Sequence, residues 1–183
     1  MRQALLVVDM QNDYFSGGKM ELVGIEQAAK KAEQALELCR IKNLPIMHIQ
    51  HISNREGATF FLPNTDGVLI HKDLTPKSGE QVVQKHLPNS FRETLLHEYL
   101  QQEDIQELII CGAMTHMCID TTVRAAFDLG YSCIVLSDAC ATRDMEFGGM
   151  SIKASQVHAA FMAALSSPFA KVISTSDLDG VSA

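Results

Sequence analysis

Short apolar runs alternate with helical patterns along most of the chain. Residues 4–8 are uninterrupted apolar residues, which is typical of a strand covered on both faces in a parallel sheet. Residues 25–41 instead repeat apolar side chains at helical spacing, with lysines and glutamates between them. Asn43 and Pro45 end this helix. The pattern therefore predicts a strand followed by a helix, the first part of a βαβ unit.

The same alternation continues through the rest of the chain. It predicts further strands at 46–49, 80–86, 108–111, 131–136 and 172–173, and further helices at 90–101, 118–129 and 148–165. The helix at 90–101 is predicted to open with the capping box Ser90-Phe91-Arg92-Glu93. Strands that alternate with helices indicate a parallel sheet with helices on both faces. The sequence thus predicts one α/β domain over residues 1–183, with three α/β/α layers and a mostly parallel sheet of five or six strands.

Residues 53–78 break this alternation with a polar, irregular stretch that contains several glycines and prolines. An irregular segment of this length usually carries function, for example as a lid or as an arm that contacts a partner. Within it, Phe60-Phe61-Leu62 is an apolar triplet. We expect the triplet to pack either on the protein's own core or on a partner subunit.

Composition and charge narrow the function classes. The formal net charge of −7 argues against general affinity for nucleic acids or anionic membranes, because both would be repelled. No apolar run approaches the roughly 18 residues of a membrane span, and no signal peptide precedes the first strand. An odd number of cysteines without a CxxC pair predicts reduced thiols and a cytoplasmic protein: Cys39, Cys111, Cys118, Cys133 and Cys140.

Three chemically different side chains fall at or just after predicted strand ends: Asp9, Lys85 and Cys118. In an open parallel sheet, ligands bind beyond the carboxyl ends of the strands, so the fold would gather these side chains on one rim. Cys118 also begins a predicted helix, where backbone N–H groups and the helix dipole favour thiolate over thiol. Asp9 would serve as the acid and base, and Lys85 would hold the two anions together.

Each of these residues also has a simpler explanation. Cys118 can be a small buried residue that helps a helix to dock, Asp9 can belong to a turn, and Lys85 can be a solvated lysine on an edge strand. Together, however, they favour nucleophilic catalysis, in which a thiolate attacks a carbonyl carbon. Backbone N–H groups of Met114 and Cys118 would then form an oxyanion hole.

Several ordered motifs carry a resemblance to a known family. They are residues 5–15 (Leu-Leu-Val-Val-Asp-Met-Gln-Asn-Asp-Tyr-Phe), 82–86 (Val-Val-Gln-Lys-His) followed by Ser90-Phe91, 112–119 (Gly-Ala-Met-Thr-His-Met-Cys-Ile) and Asp138-Ala139. In this order and at these intervals they resemble the isochorismatase-like cysteine hydrolases. That superfamily includes nicotinamidases and N-carbamoylsarcosine amidohydrolases, and the resemblance covers nearly the whole chain.

The resemblance implies that Asp9, Lys85 and Cys118 form a catalytic triad. It also implies a cis peptide between Ala113 and Met114, which turns the Met114 amide toward the Cys118 amide. True isochorismatases of the superfamily lack the cysteine nucleophile. The cysteine therefore favours hydrolysis of a carbon–nitrogen bond in a small amide-type substrate, through an acyl-enzyme on Cys118.

The chain departs from the metal-binding pattern of the nicotinamidases. Those enzymes hold a metal through an aspartate and histidines after the second strand, whereas residues 47–52 read Met-His-Ile-Gln-His-Ile. In a continuous strand, His48 and His51 would point to opposite faces and could not share an ion. His71 would join His51 only through the fold of a loop. The sequence therefore predicts no metal and no other cofactor, and it disfavours nicotinamide as the substrate.

Six side chains are predicted to contact the substrate: Phe15, His51, Phe91, Thr115, His116 and Phe147. The family resemblance further implies a homodimer or homotetramer. Two other classes of function remain open. The chain can be a catalytically idle or redox-responsive relative that acts through an oligomer interface. Within the enzyme class, it can also have a nicotinamidase or isochorismatase-type activity.

Overall fold

A parallel sheet of six strands forms the centre of the computed structural model, which describes residues 1–180. Residues 1–180 contain eight strands, which are β1 (Gln3–Val8), β2 (Ile46–His51), β3 (Gln81–Lys85), β4 (Glu107–Ala113), β5 (Ser132–Ala141), β6 (Met145–Phe147), β7 (Met150–Ile152) and β8 (Lys171–Ile173). The sheet has the order β3-β2-β1-β4-β5-β8, while β6 and β7 form a separate antiparallel hairpin. The predicted α/β fold with a mostly parallel sheet is confirmed.

In the described part of the chain, four α-helices cover the two faces of the sheet: α1 (Ile25–Ile41), α2 (Leu96–Gln102), α3 (Asp120–Asp128) and α4 (Ala154–Leu165). Strand β1 explains the uninterrupted apolar run, because its side chains alternate between two apolar clusters. Leu5 and Val7 face the cluster that includes α1, and Leu6 and Val8 face the cluster that includes α2, α3 and α4. Burying each such side chain contributes about 1.5–3 kcal/mol.

The predicted capping box at Ser90 is wrong. Helix α2 begins at Leu96, and Glu93 adopts a left-handed φ of 58° that cannot belong to a right-handed helix. The Ser90 hydroxyl instead hydrogen-bonds the Thr122 hydroxyl at 2.8 Å, and the Ser90 amide donates to the same oxygen at 3.2 Å. Ser90 therefore fastens its loop to α3, which leaves its side chain unavailable as a helix cap.

The predicted helix at 148–165 begins six residues later than expected, at Ala154. Gly148 and Gly149 have φ values of 58° and 78° and form the turn of the β6–β7 hairpin. Glycine adopts such angles without a steric penalty, so two in succession favour a tight turn over a helix. Strand β5 also continues beyond the predicted end at residue 136, to Ala141, and its pairing with β4 shifts register between Ile110 and Gly112.

The irregular segment 53–78 folds back on the domain. Phe61 is fully buried, and its ring packs edge-on against Tyr14 with centroids 4.6 Å apart. The Phe61 amide donates to Asp13 Oδ2 at 2.6 Å. Of the two alternatives for the apolar triplet, packing on the protein's own core is therefore the one found for Phe61. Among residues 1–180, no helix has both the length and the apolar character needed to cross a membrane.

Candidate active site

Three neighbouring loops and strand ends bring Asp9, Lys85 and Cys118 together. Asp9 follows β1 directly, Lys85 is the last residue of β3, and Cys118 lies in a π-helical turn (Thr115–Ile119) between β4 and α3. Lys85 Nζ lies 2.8 Å from Asp9 Oδ2 and 3.2 Å from Cys118 Sγ. Although β3 is an edge strand, the Lys85 side chain is fully buried. The alternative interpretation of Lys85 as a solvated lysine on an edge strand is therefore excluded.

The approach to Cys118 depends on a glycine at the end of β4. Gly112 has a φ of 131°, and a Cβ atom at this position would collide with the Val8 carbonyl oxygen on β1. The cis peptide that the family resemblance implied is present between Ala113 and Met114. The Met114 carbonyl then accepts hydrogen bonds from the amides of Met117 at 2.9 Å and Ile119 at 3.2 Å, which shape the turn that carries Cys118.

The Lys85 ammonium has four close neighbours. Besides Asp9 and Cys118, Nζ lies 3.0 Å from His51 Nδ1 and 3.1 Å from the Leu87 carbonyl oxygen. Burial, followed by the charge of Lys85, lowers the pKa of His51 to about 4. His51 is therefore neutral at pH 7 and accepts the Lys85 hydrogen bond at Nδ1, so that its own proton lies on Nε2.

The electrostatics of the sulfur differ from the sequence-based expectation. Burial raises the pKa of Cys118, and the charge of Asp9 raises it further, while Lys85 acts in the opposite direction. The expectation that helix N-terminus and cation favour a resting thiolate is therefore wrong, because the sulfur is 2% exposed and shares its cation with a carboxylate. Burial works to lower the pKa of Lys85, but its contacts with Asp9 and Cys118, above all the charge of Asp9, outweigh it and raise that pKa. The resting cluster is an ion pair beside a neutral thiol.

Asp9, His51 and Cys118 also form a group whose ligand atoms all lie within 4.8 Å of one another, close enough to hold a metal ion. The Lys85 ammonium contacts all three side chains. A metal would have to displace this cation, since both would need the same central position. The donor set therefore fits an ammonium better than a metal.

The other two histidines considered as ligands lie elsewhere. His48 Nε2 lies 2.9 Å from Glu80, at the opposite face of β2 from His51. The His71 ring stacks on Phe15 with centroids 3.7 Å apart. Neither His48 nor His71 shares a ligand position with His51.

Cys118 opens onto a cavity of about 340 Å³, a volume suited to a small molecule. Its apolar wall includes Tyr14, Phe60, Met114, Met117, Leu87 and Pro88. Its polar lining consists of His51, Ser53, Asn54, Arg55 and His86. Of the six side chains predicted to contact the substrate, the structure brings only His51 into this lining.

The remaining three aromatic predictions lie away from the cavity. Phe15 is occupied by its stack on His71, and Phe91 packs against the Tyr131 ring at 6.0 Å between centroids. Phe147 is 77% exposed on the β6–β7 hairpin.

Thr115 and His116 face the β5 side of the π-helical turn. The Thr115 hydroxyl donates to the Ala141 carbonyl at 3.3 Å, and His116 Nδ1 lies 2.6 Å from the Thr142 hydroxyl. Both side chains therefore lie outside the cavity lining, whereas Met114 and Met117 of the same segment belong to it together with Cys118.

Sequence reasoning missed Tyr14, Phe60 and Arg55. Tyr14 belongs to the same motif as Asp9, and Phe60 belongs to the apolar triplet, so both carried a signal that was assigned to other roles. Arg55 carried none, because it lies in a loop whose path depends on the burial of Phe61.

A buried thiol, carboxylate and ammonium thus lie together at the carboxyl edge of a parallel sheet and open onto a small cavity. The model of the isochorismatase domain matches residues 3–177. The chain therefore belongs to the isochorismatase family, and it is a hydrolase by that membership.

Relatives and solved structures agree with this assignment. The isochorismatase family protein YddQ of Bacillus subtilis (strain 168) is 49% identical over 175 residues, which cover 96% of this chain and 97% of that protein. A crystal structure of an isochorismatase hydrolase from Oleispira antarctica is 50% identical with a TM-score of 0.94, covering 98% of this chain and 96% of the other. The ureidoacrylate amidohydrolase RutB of Stutzerimonas stutzeri (strain A1501) is 29% identical, over 79% of this chain and 71% of that protein.

Proposed function

We propose that the protein hydrolyses a carbon–nitrogen bond of a small amide-type substrate through an acyl-enzyme on Cys118. The observation that carries the proposal is the contact of one buried ammonium, Lys85 Nζ, with both Asp9 and Cys118. This contact holds a nucleophile and a proton acceptor within reach of each other at the floor of a cavity.

In the first half of the reaction, Cys118 Sγ attacks the substrate carbonyl carbon while Asp9 takes the thiol proton. The raised pKa of Cys118 suits this order, because the proton stays on sulfur until the base removes it. The developing oxyanion accepts hydrogen bonds from the backbone amides of Met114 and Cys118. Asp9 then returns the proton to the nitrogen, the carbon–nitrogen bond breaks, and an amine or ammonia leaves a thioester on Cys118.

In the second half, Asp9 removes a proton from a water molecule that attacks the thioester carbonyl. The carbon–sulfur bond breaks, a carboxylic acid leaves, and the proton returns to Cys118. Lys85 stays protonated throughout and compensates the negative charge wherever it lies, on Asp9 or on sulfur. His51 faces the cavity with its Nε2–H group free to donate a hydrogen bond to the substrate.

Amide hydrolysis agrees with the name of the relative RutB, a ureidoacrylate amidohydrolase. A nicotinamidase activity is a less favoured alternative, because Lys85 lies in the central position that a metal held by Asp9, His51 and Cys118 would need. An isochorismatase-type activity is also less favoured, because Cys118 is present. A catalytically idle or redox-responsive protein is the alternative outside the enzyme class, and it is an outcome of the experiment below.

The experiment is a screen of small amides, N-carbamoyl compounds, hydroxamates and lactams for release of ammonia or amine. Turnover is expected in the wild type and is expected to fall by about 10³-fold or more in Cys118→Ala and Asp9→Asn. Cys133→Ala is the matched control, since Cys133 is a buried free cysteine on β5 outside the cavity. Equal turnover in Cys118→Ala, or no hydrolysis across the panel, would overturn the proposal.

We further propose that the protein assembles as a homodimer or homotetramer in the cytoplasm. Phe147 and Met150 on the β6–β7 hairpin are 77% and 65% exposed, which favours burial against a second copy. All five cysteines are free thiols, as a reducing compartment would keep them. A monomeric mass in sedimentation experiments at micromolar concentration would contradict the assembly.

A further inference from the structure

The cavity changes from buried to exposed along its length. Cys118, Met114 and Tyr14 are each at most 5% exposed, and they lie at the inner end. Arg55 and His86 are exposed, and they form the outer end. A substrate whose amide contacts Cys118 therefore extends outward past apolar side chains toward Arg55.

Among the described residues, no acidic side chain pairs with the Arg55 cation. Within residues 1–180, its guanidinium has no hydrogen-bond or ion-pair partner, and no aspartate or glutamate lines the cavity. This contrasts with the formal net charge of −7 for the whole chain. A guanidinium presents paired N–H donors that match the two oxygens of a carboxylate.

The loop that carries Arg55 is anchored at its base. The Ser53 amide donates to the Phe61 carbonyl at 2.9 Å, and the Phe61 amide donates to Asp13 Oδ2 at 2.6 Å. The Phe61 ring is buried against Tyr14, which itself lines the cavity. The guanidinium is therefore held on the cavity side of the molecule, and its charge contributes to the lowered pKa of His51, after burial, Lys85 and His86.

We propose that Arg55 is a specificity-determining residue that binds a carboxylate group of the substrate, remote from the bond that is cleaved. The substrate class is then an amide that carries a carboxylate, rather than a neutral amide. The identity of the cleaved bond rests on the function proposed above, but the binding of an anion at the outer end of the cavity does not.

Alkylation of Cys118 tests the anion preference without turnover. Iodoacetate and iodoacetamide are similar in size, but only iodoacetate is negatively charged. The ratio of their rate constants at Cys118, followed by peptide mass spectrometry, should fall by about three- to ten-fold in Arg55→Ala. Arg55→Lys keeps the charge and should retain most of the ratio. Arg2→Ala, which removes the same charge at the opposite edge of the sheet, should leave the ratio at the wild-type value.

The outcomes separate the two proposals. An unchanged ratio in Arg55→Ala, or an equal fall in Arg2→Ala, would overturn the role of Arg55 and leave the proposed hydrolysis intact. Failure of both reagents to alkylate Cys118 even at alkaline pH, where more of the thiol is ionised, would overturn both proposals, because the cavity would then not lead to the sulfur. If hydrolysis is found, an N-carbamoyl amino acid should have a lower KM than its methyl ester, and Arg55→Ala should raise that KM. The opposite preference would overturn the inference.

Discussion

Replacing Lys85 by methionine tests how strongly the buried cluster depends on its cation. The side chains of Lys85 and Asp9 are both fully buried, and their charged atoms lie 2.8 Å apart. Within residues 1–180, neither carboxylate oxygen of Asp9 has a hydrogen bond, so the ion pair is its main compensation. Removing one partner of such a pair leaves an isolated buried charge, which costs about 3–5 kcal/mol.

The matching double variant separates this effect from lost packing. Asp9→Asn alone should also destabilise the fold, because it leaves the Lys85 ammonium unpaired. The double variant Lys85→Met with Asp9→Asn removes both charges. Its loss in the free energy of unfolding should therefore be smaller than the sum of the losses in the two single variants, by about 2–3 kcal/mol. The assay is urea unfolding at pH 7, followed by circular dichroism. Lys72→Met is the control, since it removes a lysine from an exposed ion pair with Asp73 and should leave the midpoint unchanged.

The sign of the pH dependence follows from the raised pKa of Lys85. A group whose pKa is raised on folding stabilises the native state below its unfolded value of about 10.5. This contribution is lost as the pH rises through the higher native value. The stability difference between wild type and Lys85→Met should therefore shrink only at strongly alkaline pH. The reasoning would be refuted if the losses in the free energy of unfolding of the two single variants simply added in the double variant. It would also be refuted if Lys85→Met were as stable as the wild type.

Two further predictions concern residues that support the sheet near the site, the carboxylate of Glu80 and the close approach of β4 to β1 at Gly112. Burial works to raise the pKa of Glu80, but the hydrogen bonds from Arg40, the Lys77 amide and His48 together outweigh it, and the pKa falls to about 2. Glu80→Gln should therefore lower the free energy of unfolding by about 1–3 kcal/mol at pH 7. In urea titrations, the difference in stability from the wild type should vanish as the pH falls from about 4.5 toward 2. A difference that does not depend on pH would contradict this prediction. Gly112→Ala should cost about 2–4 kcal/mol, because its Cβ meets the Val8 carbonyl oxygen. Gly130→Ala, with a φ of 91° but nothing within 4 Å of the new Cβ, should cost only about 1 kcal/mol, and equal thermal shifts would contradict the steric account.

The fold could be predicted from the sequence where burial on both faces leaves an unbroken apolar run. Strand β1 is such a run, and its pairing with β2 and β4 places Asp9 at the carboxyl edge of the sheet. Prediction failed where a local signal was outweighed by a tertiary contact. The Ser90 hydroxyl matched a helix cap but is bonded to Thr122, a partner that is 32 residues away and invisible to local patterning.

The proximity of Asp9, Lys85 and Cys118 was predictable because each lies at or just after the carboxyl end of a strand of one parallel sheet. The protonation state of the sulfur was not, since it depends on burial that the motif does not reveal. The cavity lining was predicted least well. Neighbours in sequence such as His116 point away from the cavity, while Arg55 reaches it through a loop anchored by Phe61.

In the proposed mechanism, Cys118 carries the acyl group of an amide substrate. Mixing the enzyme with a substrate found in the screen, quenching with acid within a turnover, and measuring intact and peptide masses tests it directly. We expect the mass of the peptide that contains Cys118 to increase by the mass of the acyl group, and the corresponding peptide of Cys118→Ala to show no increase. The mechanism would be contradicted if hydrolysis persisted in Cys118→Ala and no adduct formed on Cys118 in the wild type, or if the adduct formed on another residue.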